Sequence, residues 1–397
     1  MNRLRKIAVL VILGLVFSGG VLRAEDAGEE EGLIKFLKSI RASFFIDTSY
    51  LYNFNNPQSG DNQLRVFDID HNDFNVHLFE LALEKTPTME GGFANLIGGR
   101  VDLDFGEDAD IFAAAGLGDT DDEFDLQQAF IHFLIPVENG IGVIFGKFVT
   151  LHGAEVIESK DNYNFSRSFL FGFAIPFTHT GARVHYPFSE NADFYVGLNN
   201  GWDNVDDNND GKTIETRLGF NFGVFSLGIA GIFGPEQDNR DGNWRELIDI
   251  VAILTPVERL TLVANLDFAW EQDVHFADFD GPDITKDVNW WGVAGYVVYD
   301  FTETVRLAIR GEFFRDDDGV RAAPATVLGV GQAIDLWEIT PTLELRPFAK
   351  YKPLDNLVVR VEYRHDDADE DVFENDDGEF EDTQDTIAVE FMYYFSL

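Results

Sequence analysis

The sequence predicts an all-β fold, a transmembrane antiparallel up-and-down β-barrel of about 16 strands, on three observations. Apolar residues alternate with polar or small ones at every second position, which is the period of a β-strand. The alternating segments run roughly 9 to 15 residues, whereas soluble strands run about 5 or 6 and bilayer-spanning ones about 9 to 11. Their connections alternate between short and long, the layout of short periplasmic turns and long extracellular loops.

The chain opens with a segment of a different kind. Arg3, Arg5 and Lys6 precede an apolar run from Ile7 to Phe17, and a small residue follows at Ala24. This reads as a secretory signal peptide over residues 1–24, the apolar run being shorter than the roughly 20 residues of a membrane helix. Residues 25–40 begin acidic and turn into "GLIKFLKSI", expected as an N-terminal periplasmic arm or short helix. The barrel is expected over residues 41–397.

Composition removes several function classes. With no Cys there are no disulfides, no zinc–thiolate sites and no CxxCH haem attachment. The net charge of −42 would suit a disordered acidic chain, but 38 Phe and an aromatic content of 14% supply a large apolar surface to bury. Nucleic acid is excluded as a partner, because phosphate binding needs a basic face.

The strands are read in order. Phe93, Asn95, Ile97, Gly99, Val101, Leu103 and Phe105 alternate with small or charged residues that include Arg100, Asp102 and Asp104. In "TIETRLGFNF" Ile214, Thr216, Leu218, Phe220 and Phe222 oppose Glu215, Arg217, Gly219 and Asn221. Leu260 to Glu271, Val305 to Phe314 and Trp337 to Arg346 repeat the pattern. The last strand alternates Ile387, Val389, Phe391, Tyr393 and Phe395 to the final residue, Leu397. Tyr50, Tyr52, Trp270, Tyr299 and Tyr363 lie near strand ends, where aromatic girdles belong.

Several short connections share a Pro, a hydrophobic residue and then Glu or Asp, as in "IPVENG", "YPFSEN", "TPVERL" and "KPLDNL". Proline presets one turn position and the acid or amide caps it. The long connections are expected at 54–72, 106–123, 150–168, 201–212, 234–244, 271–289, 315–335 and 366–383.

Magnitude decides which face looks inward. An Arg at the lipid midplane costs about 2–4 kcal/mol, so the charged face must line the lumen. That face carries Arg100, Arg183, Arg217, Arg306, Arg310, Arg346, Arg360 and Arg364 with Asp102, Asp104, Glu215, Glu312, Glu338, Glu344 and Glu362. Two readings stay open: these charges pair across strands and hydrate the wall, or a basic stripe faces an acidic one and sets up a transverse field. The loop at 150–168, with His152, Glu155, Glu158, Lys160, Asp161 and Arg167, is the candidate to fold into the lumen as a constriction.

One loop imitates a metal site. In "NGWDNVDDNNDGKT" Asp206, Asn208, Asp210 and Gly211 match the first, third, fifth and sixth positions of a calcium hand. The twelfth position, where a hand needs Glu, is Arg217. An outward turn and a weak, exposed calcium site on Asp206, Asn208 and Asp210 both remain, and no other cofactor is expected.

"DTSYLYNFNNP", "DLQQAFIHFLIPVENG", "GKFVTLHGAEVIES", "FLFGFAIPFTHTGARV", "GPEQD" and "RVEYRHD" together resemble the second β-barrel porin family, OmpL-like, from about Phe45 to Leu397. The resemblance implies an outer-membrane porin whose terminal aromatic strand is read by the barrel-insertion machinery. Here Leu397 stands where a terminal Phe is usual.

About 16 strands enclose an aqueous channel. The expected function is passive diffusion of small hydrophilic solutes or ions, with weak cation preference because more than half of the 71 acidic residues fall in the long loops. Expected partners are outer-membrane lipid, those solutes and, by analogy with 16-stranded porins, two further copies in a homotrimer. The alternative is a surface adhesin or ligand-binding barrel. Catalysis is not expected: no GxSxG is present, and the 8 His are scattered.

Overall fold

The computed structural model describes residues 36–117, 123–276, 284–322 and 331–397. The expected signal peptide and residues 25–35 of the arm lie outside the described residues. The chain divides into two units, Met1–Arg41 and Ala42–Leu397.

Sixteen antiparallel strands close one barrel: β1 (Arg41–Asn53), β2 (Asp73–Lys85), β3 (Ile97–Phe105), β4 (Phe124–Ile135), β5 (Ile141–Val149), β6 (Thr178–Ser189), β7 (Ala192–Asn199), β8 (Thr213–Asn221), β9 (Phe225–Gln237), β10 (Arg240–Val257), β11 (Leu260–Phe276), β12 (Ile284–Thr302), β13 (Val305–Asp316), β14 (Ile334–Leu345), β15 (Leu357–Ala368) and β18 (Thr383–Ser396). The other two, β16 (Phe373–Glu374) and β17 (Phe380–Glu381), make a small hairpin in the last long loop. Sequence neighbours pair throughout, and β18 closes on β1 from Ser43 opposite Ser396 to Asn53 opposite Thr386. The Leu397 N–H adds one more bond to the Ala42 carbonyl at 2.8 Å.

The two faces of each strand separate as the alternation requires. In β13, Ala308, Arg310, Glu312 and Phe314 are buried, while Ile309 between them is exposed. Val293, Val297, Ile339, Leu343, Val361, Ile387 and Phe391 are exposed in the same way on the neighbouring strands. Exposed apolar side chains on every strand of a closed barrel form a band that lipid covers. Among the described residues no helix is long and apolar enough to cross a membrane.

Four boundaries differ from the sequence reading. Phe93–Leu96 is a 3₁₀ turn, entered through Gly91 and Gly92 at φ +83° and +96°, and the strand starts at Ile97. Residues 234–244 are no long loop: β9 and β10 run on to a tight turn in which Asn239 takes φ +57°, a conformation asparagine tolerates. Strands β11 and β12 likewise extend, β11 to Phe276 and β12 from Ile284. The β5–β6 connection is instead longer, residues 150–177, and Leu170–Ala174 forms one π-helical turn.

That longer connection has a physical cause. Phe169, Leu170 and Phe171 are buried with Phe67, Phe112, Trp202, Trp290 and Phe314 in an apolar cluster built from loop residues and inward-facing strand residues. These phenylalanines belong to a core inside the barrel and not to a lipid-facing strand.

Candidate functional site

The site is the loop of residues 150–177, which enters the lumen and is fastened along β11 to β15, β18 and β1. The Ala154 N–H donates to the Asn265 Oδ1 at 2.8 Å. The Glu155 carboxylate accepts from Arg310 at 2.8 Å, the Tyr296 hydroxyl at 3.1 Å and the Ser168 N–H at 2.7 Å. The Ser159 hydroxyl donates to Asp47 at 2.5 Å. Arg360 donates to the carbonyls of Ser159 at 3.0 Å and Asn162 at 2.7 Å. Glu362 accepts the N–H groups of Phe165 and Ser166 at 2.7 and 2.9 Å, and Glu312 those of Phe169 and Leu170. Arg364 donates to the Arg167 carbonyl at 2.6 Å, and the Trp290 indole to the Ala174 carbonyl at 3.2 Å.

A loop drawn into a barrel carries backbone groups that must find partners away from bulk water. The wall supplies them: carboxylates meet N–H groups and guanidinium groups meet carbonyls. Pro341 marks one such place. Proline has no N–H, the β14–β15 ladder has no pair at Thr340 and Pro341, and there Asn164 donates to the Thr340 carbonyl at 3.1 Å and the Thr342 hydroxyl at 2.6 Å.

The predicted lumen charges sort into two groups. Arg310, Arg360 and Arg364 are 0%, 1% and 1% exposed. Arg310 pairs with Glu338 at 2.8 Å, Arg360 with Glu344 at 3.0 Å and Glu390 at 3.2 Å, and Arg364 with Asp366 at 2.6 Å. Glu215, Glu312, Glu338, Glu344 and Glu362 are buried, and Arg183 lies against Glu215 in two bonds of 2.7 and 2.8 Å. Basic and acidic residues therefore interleave, on β13 to β15 under the loop and again on β6 and β8; they do not form two opposing stripes.

The second group meets water. The side chains of Arg100, Arg217, Arg306 and Arg346 are between 27% and 36% exposed. Their acidic neighbours include Glu84 at 3.9 Å from Arg100, Asp193 at 3.6 Å from Arg217 and Asp300 at 2.7 Å from Arg306. Sequence reading missed these three acids, together with Asp47, Asn164 and Tyr296. Cross-strand register, which periodicity leaves free, is the signal that would have paired them.

Of the loop residues, Glu155, Glu158, His152 and Arg167 are buried, whereas Asp161 is exposed and bonds Lys160 at 2.7 Å. Arg167 holds the loop's own shape through the Phe165 and Ile157 carbonyls and stacks over the Phe67 ring. Burial works to raise the Glu155 carboxyl, but Arg310, the Ser168 N–H and Arg167 overcome it and hold it below the ordinary glutamate range. Burial pushes the His152 imidazole down to about 3. Between the loop and the β3–β4 and β8 wall a cavity of about 530 Å³ remains.

The loop with the calcium-like spacing lies at 200–212, between β7 and β8. Its donors are committed to the β9–β10 hairpin: Asn208 donates to the Glu236 carbonyl and to Asp238, each at 3.0 Å, and the Asp210 N–H to Asp241 at 2.9 Å. Among the described residues no group of three His, Asp or Glu is placed to hold a metal.

Solved structures share this architecture. An anion-selective porin from Comamonas acidovorans superposes with a TM-score of 0.58 at 11% identity, covering 90% of this chain and 99% of that one. OmpF of Salmonella typhi, in complex with daunomycin, gives 0.57 at 12%, covering 90% and 97%. The outer membrane channel DcaP of Acinetobacter baumannii gives 0.51 at 12%, covering 90% and 97%. At these identities the likeness is one of fold. No curated protein matches the sequence. A family profile described as "Putative beta-barrel porin-2, OmpL-like" matches residues 39–395, nearly the whole barrel, and the chain belongs to that family of outer-membrane porin-like barrels.

Proposed function

We propose that the protein is a non-enzymatic channel for passive diffusion of small hydrophilic solutes or ions. The observation that carries this is the loop of residues 150–177, pinned inside a closed 16-strand barrel with a cavity left beside it that Arg100, Lys160 and Arg217 help to line. A packed lumen needs no such loop, and a wide open one would filter nothing. Purified, refolded full-length protein in planar bilayers is expected to show ohmic single-channel conductance; its absence at high protein load overturns the reading.

Weak cation preference is part of the proposal, resting on the acidic outer loops. Removal of residues 1–24 as a signal peptide, reading of β18 by the insertion machinery and assembly as a homotrimer complete it. Mass spectrometry of the outer-membrane form and light scattering in detergent test the first and last of these.

A further inference from the structure

We propose that the cavity beside the loop is a weak binding subsite for small organic carboxylates that carry an apolar body; this rests on the channel reading above. The cavity's charge is sorted by exposure. Arg100 and Arg217 each leave 30% of the side chain open and Lys160 leaves 20%. Glu84 and Asp193, beside Arg100 and Arg217, are about a third exposed, but two of the three acids in the cavity lining are turned away. Glu155 is occupied by Arg310, Tyr296 and Ser168, and Glu158 is buried and accepts from Gln127 at 3.1 Å. Asp161 is the exposed acid of the cavity lining, and it is bound to Lys160.

Arg217 is the strongest candidate to receive a solute. It donates no hydrogen bond to a described residue; Asp193 is 3.6 Å away, and the Tyr195 ring lies 5.8 Å below its guanidinium carbon. A guanidinium fork held by an aromatic face, with donors free, matches the two oxygens of a carboxylate. Arg100 is oriented from behind by Asp102, whose two oxygens accept its Nε–H at 2.9 and 2.8 Å.

The cavity lining also carries apolar side chains. Val156, on the loop, is 41% exposed, and the partly exposed Leu151 and Phe177 share the lining with it. Apolar surface facing water in a channel is stabilised when an apolar solute body covers it. A volume of about 530 Å³ accepts a ring-sized acid with water to spare.

The test uses the refolded full chain in planar bilayers, with benzoate and acetate added to potassium chloride at constant ionic strength. Benzoate is expected to reduce single-channel current with half-effect in the millimolar range of one weak subsite, and acetate to act more weakly. Arg217→Gln and Lys160→Gln are each expected to weaken the benzoate effect by roughly tenfold, the scale of one charged hydrogen-bond partner. Val156→Ser should weaken benzoate more than acetate. Equal action of the two anions on the wild-type channel overturns the subsite, as does an unchanged benzoate effect in Arg217→Gln. Because the wild-type comparison stands alone, a variant that fails to refold leaves the proposal decidable. Ohmic conductance without benzoate discrimination overturns the subsite alone, whereas absence of conductance overturns the channel reading with it.

Discussion

At Arg310 one fully buried guanidinium meets Glu338 on the next strand, Glu155 on the loop and the Ser166 carbonyl at 2.6 Å. Such a group is weak as a source of stability but costly to break, because removing one member strands the others. Arg310→Gln is therefore expected to destabilise the barrel by about 3–5 kcal/mol in urea unfolding, and a loss below about 1 kcal/mol would refute its place as an anchor. His152 and Glu155 make the loop's seat sensitive to acid. The folded-state value of His152, about 3, lies below the ordinary 6.5, so a displaced loop binds a proton in that interval and a seated loop does not. Its contribution is complete above pH 6.5 and declines by about 1.4 kcal/mol per unit at most as pH falls. The depressed Glu155 adds a contribution lost only below the ordinary glutamate range. The charged and titratable groups around His152 are His179, Glu215, Arg183 and Arg217. Hydrogen exchange in peptides covering 150–177, corrected for intrinsic rates, should accelerate between pH 7 and pH 5. His152→Phe should flatten that response, and unchanged wild-type protection over this interval would overturn the assignment.

At the scale of elements, the loop of 150–177 is held inside the barrel because its backbone is bonded to the wall at both ends and along the middle, and in the proposed channel it would be the narrowing. The strands beneath differ in length, from 8 residues in β7 to 19 in β12. The longer ones carry the outer hairpins, and the loop's anchors cluster toward β11 to β15. Replacing residues 156–166 by a short Gly-Ser linker exposes Arg310 and Arg360 to channel water, which solvates them, so the barrel itself should persist. Conductance is expected to rise and larger sugars to pass in liposome swelling. Unaltered conductance with the native sugar limit would show that the narrowing lies elsewhere.

For the whole molecule, charge is layered along the channel. The net charge of −42 is concentrated in the long loops, while Arg100, Lys160 and Arg217 line the cavity beside the loop of 150–177. The two layers differ in reach. A vestibule field acts over a Debye length, about 10 Å at 0.1 M salt and 3 Å at 1 M, whereas a contact subsite is far less screened. Reversal potentials in potassium chloride gradients near 0.1 M should favour potassium, and the preference should shrink toward zero near 1 M. Chloride preference at low salt would overturn the vestibule's role.

The strand alternation, the loop-length pattern and the terminal aromatic strand carried the barrel, because a period of two and a bilayer's thickness are both properties of single segments. The same logic predicts Arg310, Arg360 and Glu362 on the inward face and makes 150–168 the candidate to fold into the lumen. It could not say which inward charge meets water. That depends on cross-strand register, as with Arg310 opposite Thr340 and beside Glu338, and on where a distant loop comes to rest. Nor could it separate a phenylalanine that faces lipid from one that faces an internal core, so the connection expected to end at residue 168 runs on through "FLFGFA", a turn inside the barrel. Local pattern determined which residues are strands and which face is charged. Tertiary structure decided which charges hold the loop and which stay partly exposed, because pairing and burial are set by residues far apart in the chain.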